Sequence, residues 1–200
     1  PAEDGSPRAP APGRGPSVGA ARARGGCGTR RRIGDRRNRA GLGYDIHPFC
    51  AEPPLVLGGV TIPDAPALAG HSDGDAVAHA VADALLGPVG LPDLGTLFPA
   101  SDERFRGADS MALLHEVATK VAATGWWVDN VDVVIAAERP VLAPHTAAMA
   151  ARIAEALAPT REPMGFGIAV SVRPKRGEGL GAIGRAEGIA VWTVASLSRG

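Results

Sequence analysis

The chain has 200 residues, 45% of them hydrophobic, with Lys plus Arg and Asp plus Glu balanced at 21 each; this suits one ordinary domain with a real core, or a domain with a tail. No apolar run approaches the ~18 residues of a membrane span, and 4% aromatic content gives no stacking platform for nucleic acid, so neither membrane nor nucleic acid is expected as a partner. The balance hides an asymmetry, because residues 1–39 carry ten Arg against three acids and leave the remainder net acidic.

Residues 1–38 are rich in Gly, Pro, Ala and Arg and lack hydrophobic periodicity. Such a segment cannot bury enough apolar surface to offset its ordering entropy, so a disordered extension is expected, with the domain in residues 39–200. The Arg cluster from Arg30 to Arg39 fits a nucleic-acid patch, a transit peptide or a translated upstream region, and lacks the Ser richness of a typical transit peptide. Cys27 and Cys50 make no disulfide framework, which points to a reducing compartment. Cytoplasm is the default; a plastid is the alternative if the extension is a transit peptide.

Ala40 to His47 reads as a strand that places Asp45 and His47 on one face. Leu55 to Pro63 reads as a second strand or hairpin limb interrupted by Gly58-Gly59. A loop carrying His71 and Ser72 leads into a helix from about Asp75 to Leu86, which Gly87-Pro88 should end. On it, Asp75, His79 and Asp83 follow at i, i+4 and i+8 along one stripe. A strand edge offering carboxylate and imidazole, facing a helix that offers a second imidazole, closes three corners of a tetrahedron. That is the layout of a catalytic zinc site, with Asp45, His47 and His79 as ligands and the fourth position open. Asp75 and Asp83 would then be the outer carboxylates that fix the imidazole tautomer. A lone His on a helix is more often a surface or satisfied core residue, and spacing alone leaves that alternative standing. Cys50, three residues past His47, suits a small apolar filler better than a ligand.

Residues 87–108 read as a long loop, and a loop of that length inside a domain is usually functional. Asp109-Ser110 caps a helix to about Thr124, with Met111, Leu114, Val117, Ala118 and Val121 at helical spacing. Val128 to Ala137 is a strand, broken by Glu138-Arg139-Pro140. Pro144-His145 opens a helix to about Leu157, and His145 reads as a polar terminus residue. Ile168 to Val172 is a strand. The segment from Arg173 to Gly181 offers glycine-freed amides and cations for an anion cradle, or is a solvated hairpin turn. Glu187 to Leu197 closes the chain as the second limb of that hairpin. The alternation argues an α/β or α+β two-layer sandwich, a mixed sheet packed against helices.

These segments together resemble the 2-C-methyl-D-erythritol 2,4-cyclodiphosphate synthase family over about residues 39–198. The resemblance is carried by Arg39-x-Gly-x-Gly-Tyr-Asp45-Ile-His47-x-Phe49, Leu57-Gly58-Gly59-Val60 with Ile62-Pro63, and His71-Ser72-Asp73-Gly74-Asp75 with His79 and Asp83 to Gly87. It continues in Asp93-Leu94-Gly95 with Phe98-Pro99, Gly107 to Ser110, Asn130 to Val133 and Glu187 to Ala190. It implies a homotrimer with active sites between subunits and a CDP-linked substrate, 4-diphosphocytidyl-2-C-methyl-D-erythritol 2-phosphate. The 2-phosphate attacks the β-phosphorus, expelling CMP and closing the cyclic diphosphate of the non-mevalonate isoprenoid route.

By the same resemblance Asp45, His47 and His79 hold Zn2+, which acts as Lewis acid and template; phosphoryl transfer asks mainly for positioning and charge neutralisation. His71 stabilises the transition state, and Ser72 contacts phosphate. Asp93, Leu94 and Gly95 hold the methylerythritol phosphate together with Phe98, Pro99 and Asp102. Ala137 to Ala143, including Pro140, wraps the cytidine. Arg185 contacts phosphate, and Glu178 matches the carboxylate for Mg2+ or Mn2+ on the diphosphate. The chain departs from the family pattern at Val141, usually Lys, at Lys175-Arg176, usually a Thr pair whose second member is catalytic, at Ala100, usually Asp, and at Ala182, usually Phe. Lys175 would replace a substrate contact and Arg176 the catalytic one. The alternatives are a catalytically weakened zinc- and nucleotide-binding homologue, and a generic zinc hydrolase, against which stands the lack of a water-activating Glu beside the ligands.

Overall fold

The computed structural model describes residues 37–51, 54–161 and 167–199, so the expected disordered extension lies outside the described residues except for Arg37 and Asn38. Those two are already strand, paired with Arg199 and Ser198.

Six strands and three longer helices form two layers. β1 (Arg37–Pro48), β4 (Trp127–Ala136), β5 (Ala169–Lys175) and β6 (Gly188–Arg199) make one sheet in the order β1-β6-β4-β5, while β2 (Leu55–Leu57) and β3 (Val60–Ile62) form a separate hairpin. The sheet is mixed, as expected: β6 runs antiparallel to both β1 and β4, and β5 lies parallel to β4. The closing hairpin expected from the sequence is not formed. The turn after β5 carries the chain away, and β6 enters the centre of the sheet, where both its edges are paired and its inner face meets the core. Residues Gly188 to Val191 are accordingly buried without alternation, as a strand covered on both sides should be.

α1 (Ala76–Val89) is the core helix, packed against β1, β6 and α3 (Ser110–Ala123), and α4 (Thr146–Ala156) covers β5. Nine of the first eleven residues of α1 are buried, so its small Ala and Val side chains face protein almost all round. Its close approach to β1 is made by two glycines. A Cβ on Gly41 would sit 1.9 Å from the Ala84 carbonyl oxygen, and one on Gly43 1.8 Å from that of Ala80.

α1 does not stop at Gly87-Pro88. Both lie in its final turn, where the missing Pro N–H costs one bond at the helix end. The stop is Gly90, left-handed at φ 75°. Its N–H donates to the Gly87 carbonyl, and the Leu91 N–H to that of Leu86, which together make a Schellman close. The segment 87–108 is also less irregular than expected, containing a one-turn helix α2 (Leu94–Leu97) and a 3-10 turn at Glu103–Phe105.

Asp75, read from the sequence as an outer carboxylate of the metal site, has another role. It is fully buried and caps α1, accepting the Val77 and Ala78 N–H groups at 3.0 Å each. It also accepts Gly58 N–H at 2.8 Å and Gly59 N–H at 2.7 Å. Gly58 and Gly59 have φ of 56° and 69°, the backbone that a two-residue hairpin turn requires. One carboxylate thus ties the β2–β3 hairpin to the start of the core helix.

Candidate active site

The inner face of β1 reads Gly41, Gly43, Asp45, His47, while Leu42, Tyr44 and Ile46 point outward. The two glycines bring α1 into backbone contact with the strand, so the next two positions on that face come within reach of the helix start. There Asp45 Oδ2 lies 2.9 Å from His47 Nε2 and 3.1 Å from His79 Nδ1. One ligand atom from each residue lies within 4.8 Å of the other two. The zinc constellation expected from spacing is therefore assembled.

The outer nitrogens of both imidazoles are spoken for. His47 Nδ1–H donates to the Ala69 carbonyl at 2.6 Å, and His79 Nε2–H to Ser110 Oγ at 3.0 Å and Ser72 Oγ at 3.1 Å. Ser110 passes its own proton to Asp73 Oδ1. Those bonds leave the lone pairs of His47 Nε2 and His79 Nδ1 facing a carboxylate oxygen, an arrangement that calls for a proton or a cation in the middle. A two-imidazole, one-carboxylate donor set with fixed tautomers fits a divalent ion such as zinc. The electrostatics agree. Burial raises the Asp45 pKa, but hydrogen bonds and charge from His47 and His79 outweigh it and hold the carboxyl well below its ordinary range. The Asp45 hydrogen bond in turn raises His47 against the opposing effect of burial.

Asp83, the other expected outer carboxylate, does not touch His79. It accepts the Leu94 N–H at 2.8 Å and so fixes the start of α2; burial, opposed by that bond, raises its pKa, and Asp93 and Asp45 add repulsion. Asp93 caps α2 by accepting Thr96 N–H at 2.8 Å. Leu94 and Gly95 form its first turn, and Phe98 packs edge-on against Phe105 with centroids 5.2 Å apart. The Pro99 carbonyl accepts Asp102 N–H, and the Asp102 carboxylate is engaged by Arg104. His71 Nε2 approaches the Asp102 carbonyl at 3.4 Å, and its own carbonyl accepts Gly107 N–H. The metal cluster, His71 and Ser72 thus share one wall with the loop from Asp93 to Asp102.

A second set gathers around a cavity of about 750 Å³ lined by Phe49, Ala65, Ala137, Pro140, Lys175 and Arg176, among others. Cavity and metal cluster share one end of the sheet. Phe49 lies two residues past His47, His47 pairs with Ile189, and Ala190 pairs with Ala136, which pairs with Lys175. Of the remaining expected residues, Arg176 engages Glu138, Glu178 sits exposed in a turn at φ 49°, and Arg185 pairs with Glu187 at 2.6 Å. The cation-lined cradle is therefore already satisfied within the chain at two points, since Gly177 N–H also donates to Glu138 at 3.1 Å.

Sequence reasoning missed Ser110, taken as part of a helix cap; Asp109 alone caps α3, which frees the serine hydroxyl for His79. It also missed Glu138, read only as a strand terminator, and the Asp64 to Pro66 stretch of the cavity wall. For Glu138 a signal existed: a carboxylate immediately past a buried strand meets the exposed ends of its neighbours.

The YgbB family model matches residues 38–198. A 2-C-methyl-D-erythritol 2,4-cyclodiphosphate synthase from Bordetella petrii is 48% identical over 162 residues, covering 80% of this chain and 96% of that protein. A bifunctional enzyme IspD/IspF from Anaeromyxobacter sp. is 50% identical over 80% of this chain, which spans 39% of that longer protein. A solved structure of 2C-methyl-D-erythritol-2,4-cyclodiphosphate synthase in a CDP-bound form superposes with a TM-score of 0.68 at 34% identity, over 80% of this chain and 99% of the other. With the match running from the first residues of β1 almost to the end of β6, the chain belongs to the YgbB family.

Proposed function

We propose that the protein converts 4-diphosphocytidyl-2-C-methyl-D-erythritol 2-phosphate to 2-C-methyl-D-erythritol 2,4-cyclodiphosphate with release of CMP, as a phosphorus-oxygen lyase of isoprenoid biosynthesis. The observation that carries this is the Asp45, His47 and His79 cluster at the same end of the sheet as a nucleotide-sized cavity. The relatives bearing the synthase name, and the CDP-bound neighbour, support it.

Asp45, His47 and His79 would hold Zn2+. A bound zinc supplies Lewis-acid polarisation of a phosphate oxygen and a template for in-line attack. The protein's own part is mostly placement. Ser72 and Ser110 fix the His79 ring through Nε2–H, and Ala69 fixes His47. His71 would offer a donor to phosphate charge as it develops, and Ser72 a hydroxyl. Asp93, Leu94, Gly95, Phe98, Pro99 and Asp102 would hold the methylerythritol phosphate, while Ala137 and Pro140 would enclose the cytosine. Glu178 would bind Mg2+ or Mn2+ on the diphosphate, and Lys175, Arg176 and Arg185 would supply positive charge. No protein nucleophile is needed, because the substrate's own phosphate attacks.

A homotrimer is part of this proposal. The outer faces of β1 and β6 expose Leu42, Tyr44, Ile46, Trp192 and Val194, with Leu42 opposite Val194 and Tyr44 opposite Trp192. A contiguous apolar patch on the bare side of a sheet is the kind of surface subunits bury. Chromatographic detection of CMP from the substrate, with chelated and zinc-restored protein, tests the reading. CMP release that requires zinc is expected. Zinc-dependent CDP binding without CMP would instead select the weakened homologue, for which the exposed Val141 and the already paired Arg176 argue.

A further inference from the structure

We infer that Glu138 is a positioning residue, a clasp that sets the turn carrying Glu178 and thereby the divalent-ion site on the substrate diphosphate. The inference rests on the reading of Glu178 given above. Glu138 follows the end of β4, one residue after Ala137, whose N–H donates to the Lys175 carbonyl at 2.9 Å and so extends the pairing with β5. At that point its side chain faces the residues next along the neighbouring strand. The Glu138 carboxylate accepts three N–H groups there. Gly177 N–H reaches Oε2 at 3.1 Å, and Arg176 reaches Oε1 through Nε at 3.2 Å and through Nη2. The glutamate is only 12% exposed, whereas its arginine partner is 66% exposed. The acid is therefore built into the cavity wall, and the guanidinium closes over it from outside. The Arg176 hydrogen bond holds the carboxyl below its ordinary range, so it is an anion when it accepts these bonds.

The turn it grips needs such a grip. Glu178 and Gly179 are both left-handed, at φ 49° and 74°. A non-glycine residue keeps that conformation only where its surroundings over-determine it. On its other side the turn is held by close packing, since a Cβ on Gly177 would lie 2.5 Å from the Gly184 nitrogen. Glu138 and Gly184 thus fix Gly177 from two directions, and the orientation of the adjacent Glu178 follows. Arg176, standing where the resemblance leads one to expect a hydroxyl, serves this clasp by neutralising the carboxylate. Reach matters here more than charge: a carboxylate one methylene shorter falls short of Gly177 N–H, whereas an amide of equal length still accepts it.

The test is Mn2+ binding in the presence of CDP, followed by electron paramagnetic resonance on the full-length zinc-loaded protein, a readout that needs no turnover. Glu138→Asp is expected to weaken Mn2+ binding about tenfold, and Glu138→Gln to stay within about threefold of the parent, the range in which supporting contacts act on metal sites. Zinc content should be unchanged in both. Wild-type Mn2+ affinity in Glu138→Asp, or equal losses in the Asp and Gln variants, would overturn the clasp. Should Glu138→Asp fail to fold, Glu138→Ala is read in its place, with the same expected loss and the same overturning result. A Mn2+–CDP complex in a parent protein that never releases CMP would sink the cyclisation but leave the clasp standing. A parent that forms no such complex sinks the clasp along with the role of Glu178.

Discussion

At the scale of single residues, the site depends on how each imidazole is turned. His79 presents Nδ1 to Asp45 because Ser72 and Ser110 hold its Nε2–H, with Asp73 behind Ser110. Ser110→Ala is therefore predicted to weaken zinc binding about tenfold, measured by competition with a chromophoric chelator, while leaving the fold intact. His79→Ala should abolish stoichiometric zinc. Protons compete for the same lone pairs, and the signs can be worked out. Without metal, the raised pKa of His47 contributes stability that is full below its ordinary 6.5 and fades as pH rises through the raised value. The depressed pKa of Asp45 contributes stability present above its ordinary 3.8 and lost only as pH falls through the lowered value. Zinc replaces the proton on His47, so its binding strengthens over the range in which that proton leaves. The difference in melting temperature between zinc-loaded and chelated protein should accordingly widen from pH 5.5 to pH 8.5. A pH-independent difference would show that His47 is not a ligand.

At the scale of elements, what positions the site is the contact of β1 with α1. Gly43→Ala pushes a methyl into the Ala80 carbonyl and is predicted to cost about 3 kcal/mol, the upper range for overpacking, with loss of zinc as the strand and helix part. Chemical denaturation with and without chelator measures both. Asp75→Ala strands four buried or half-buried N–H groups and should cost at least about 3 kcal/mol. In the opposite direction, Thr193 on β6 is buried with its hydroxyl unpartnered among the described residues, so Thr193→Val should stabilise by about 1 kcal/mol. The metal triad was legible in the sequence because its spacing is a local matter: two residues on a strand, one on a helix. The long helices and most strands were legible for the same reason. The roles of Asp75 and Asp83 were not, because an i, i+4, i+8 stripe says which face residues share but not which loop amides come to meet them. Nor was the place of β6, which is decided by pairing on both its edges. The helix end was misjudged by one turn because Gly87 and Gly90 both offer a stop, and only the left-handed backbone at Gly90 distinguishes them.

At the scale of the whole molecule, the sheet divides its two faces between separate tasks. One carries helices, core and metal site; the other leaves Leu42, Tyr44, Ile46, Trp192 and Val194 to solvent in the single chain. Charging that face with Tyr44→Glu and Trp192→Glu is predicted to convert a trimer into monomers in sedimentation experiments. The secondary structure should persist, since neither side chain is in the core. Among the described residues no helix is long and apolar enough to cross a membrane. The account stands or falls on chemistry at one end of this sheet, and phosphorus NMR reads that chemistry directly. With zinc and magnesium, the native protein should turn the CDP-methylerythritol 2-phosphate substrate into CMP and a cyclic diphosphate, and His79→Ala should yield neither. Substrate that binds the native, zinc-loaded protein yet stays unconverted would contradict the account.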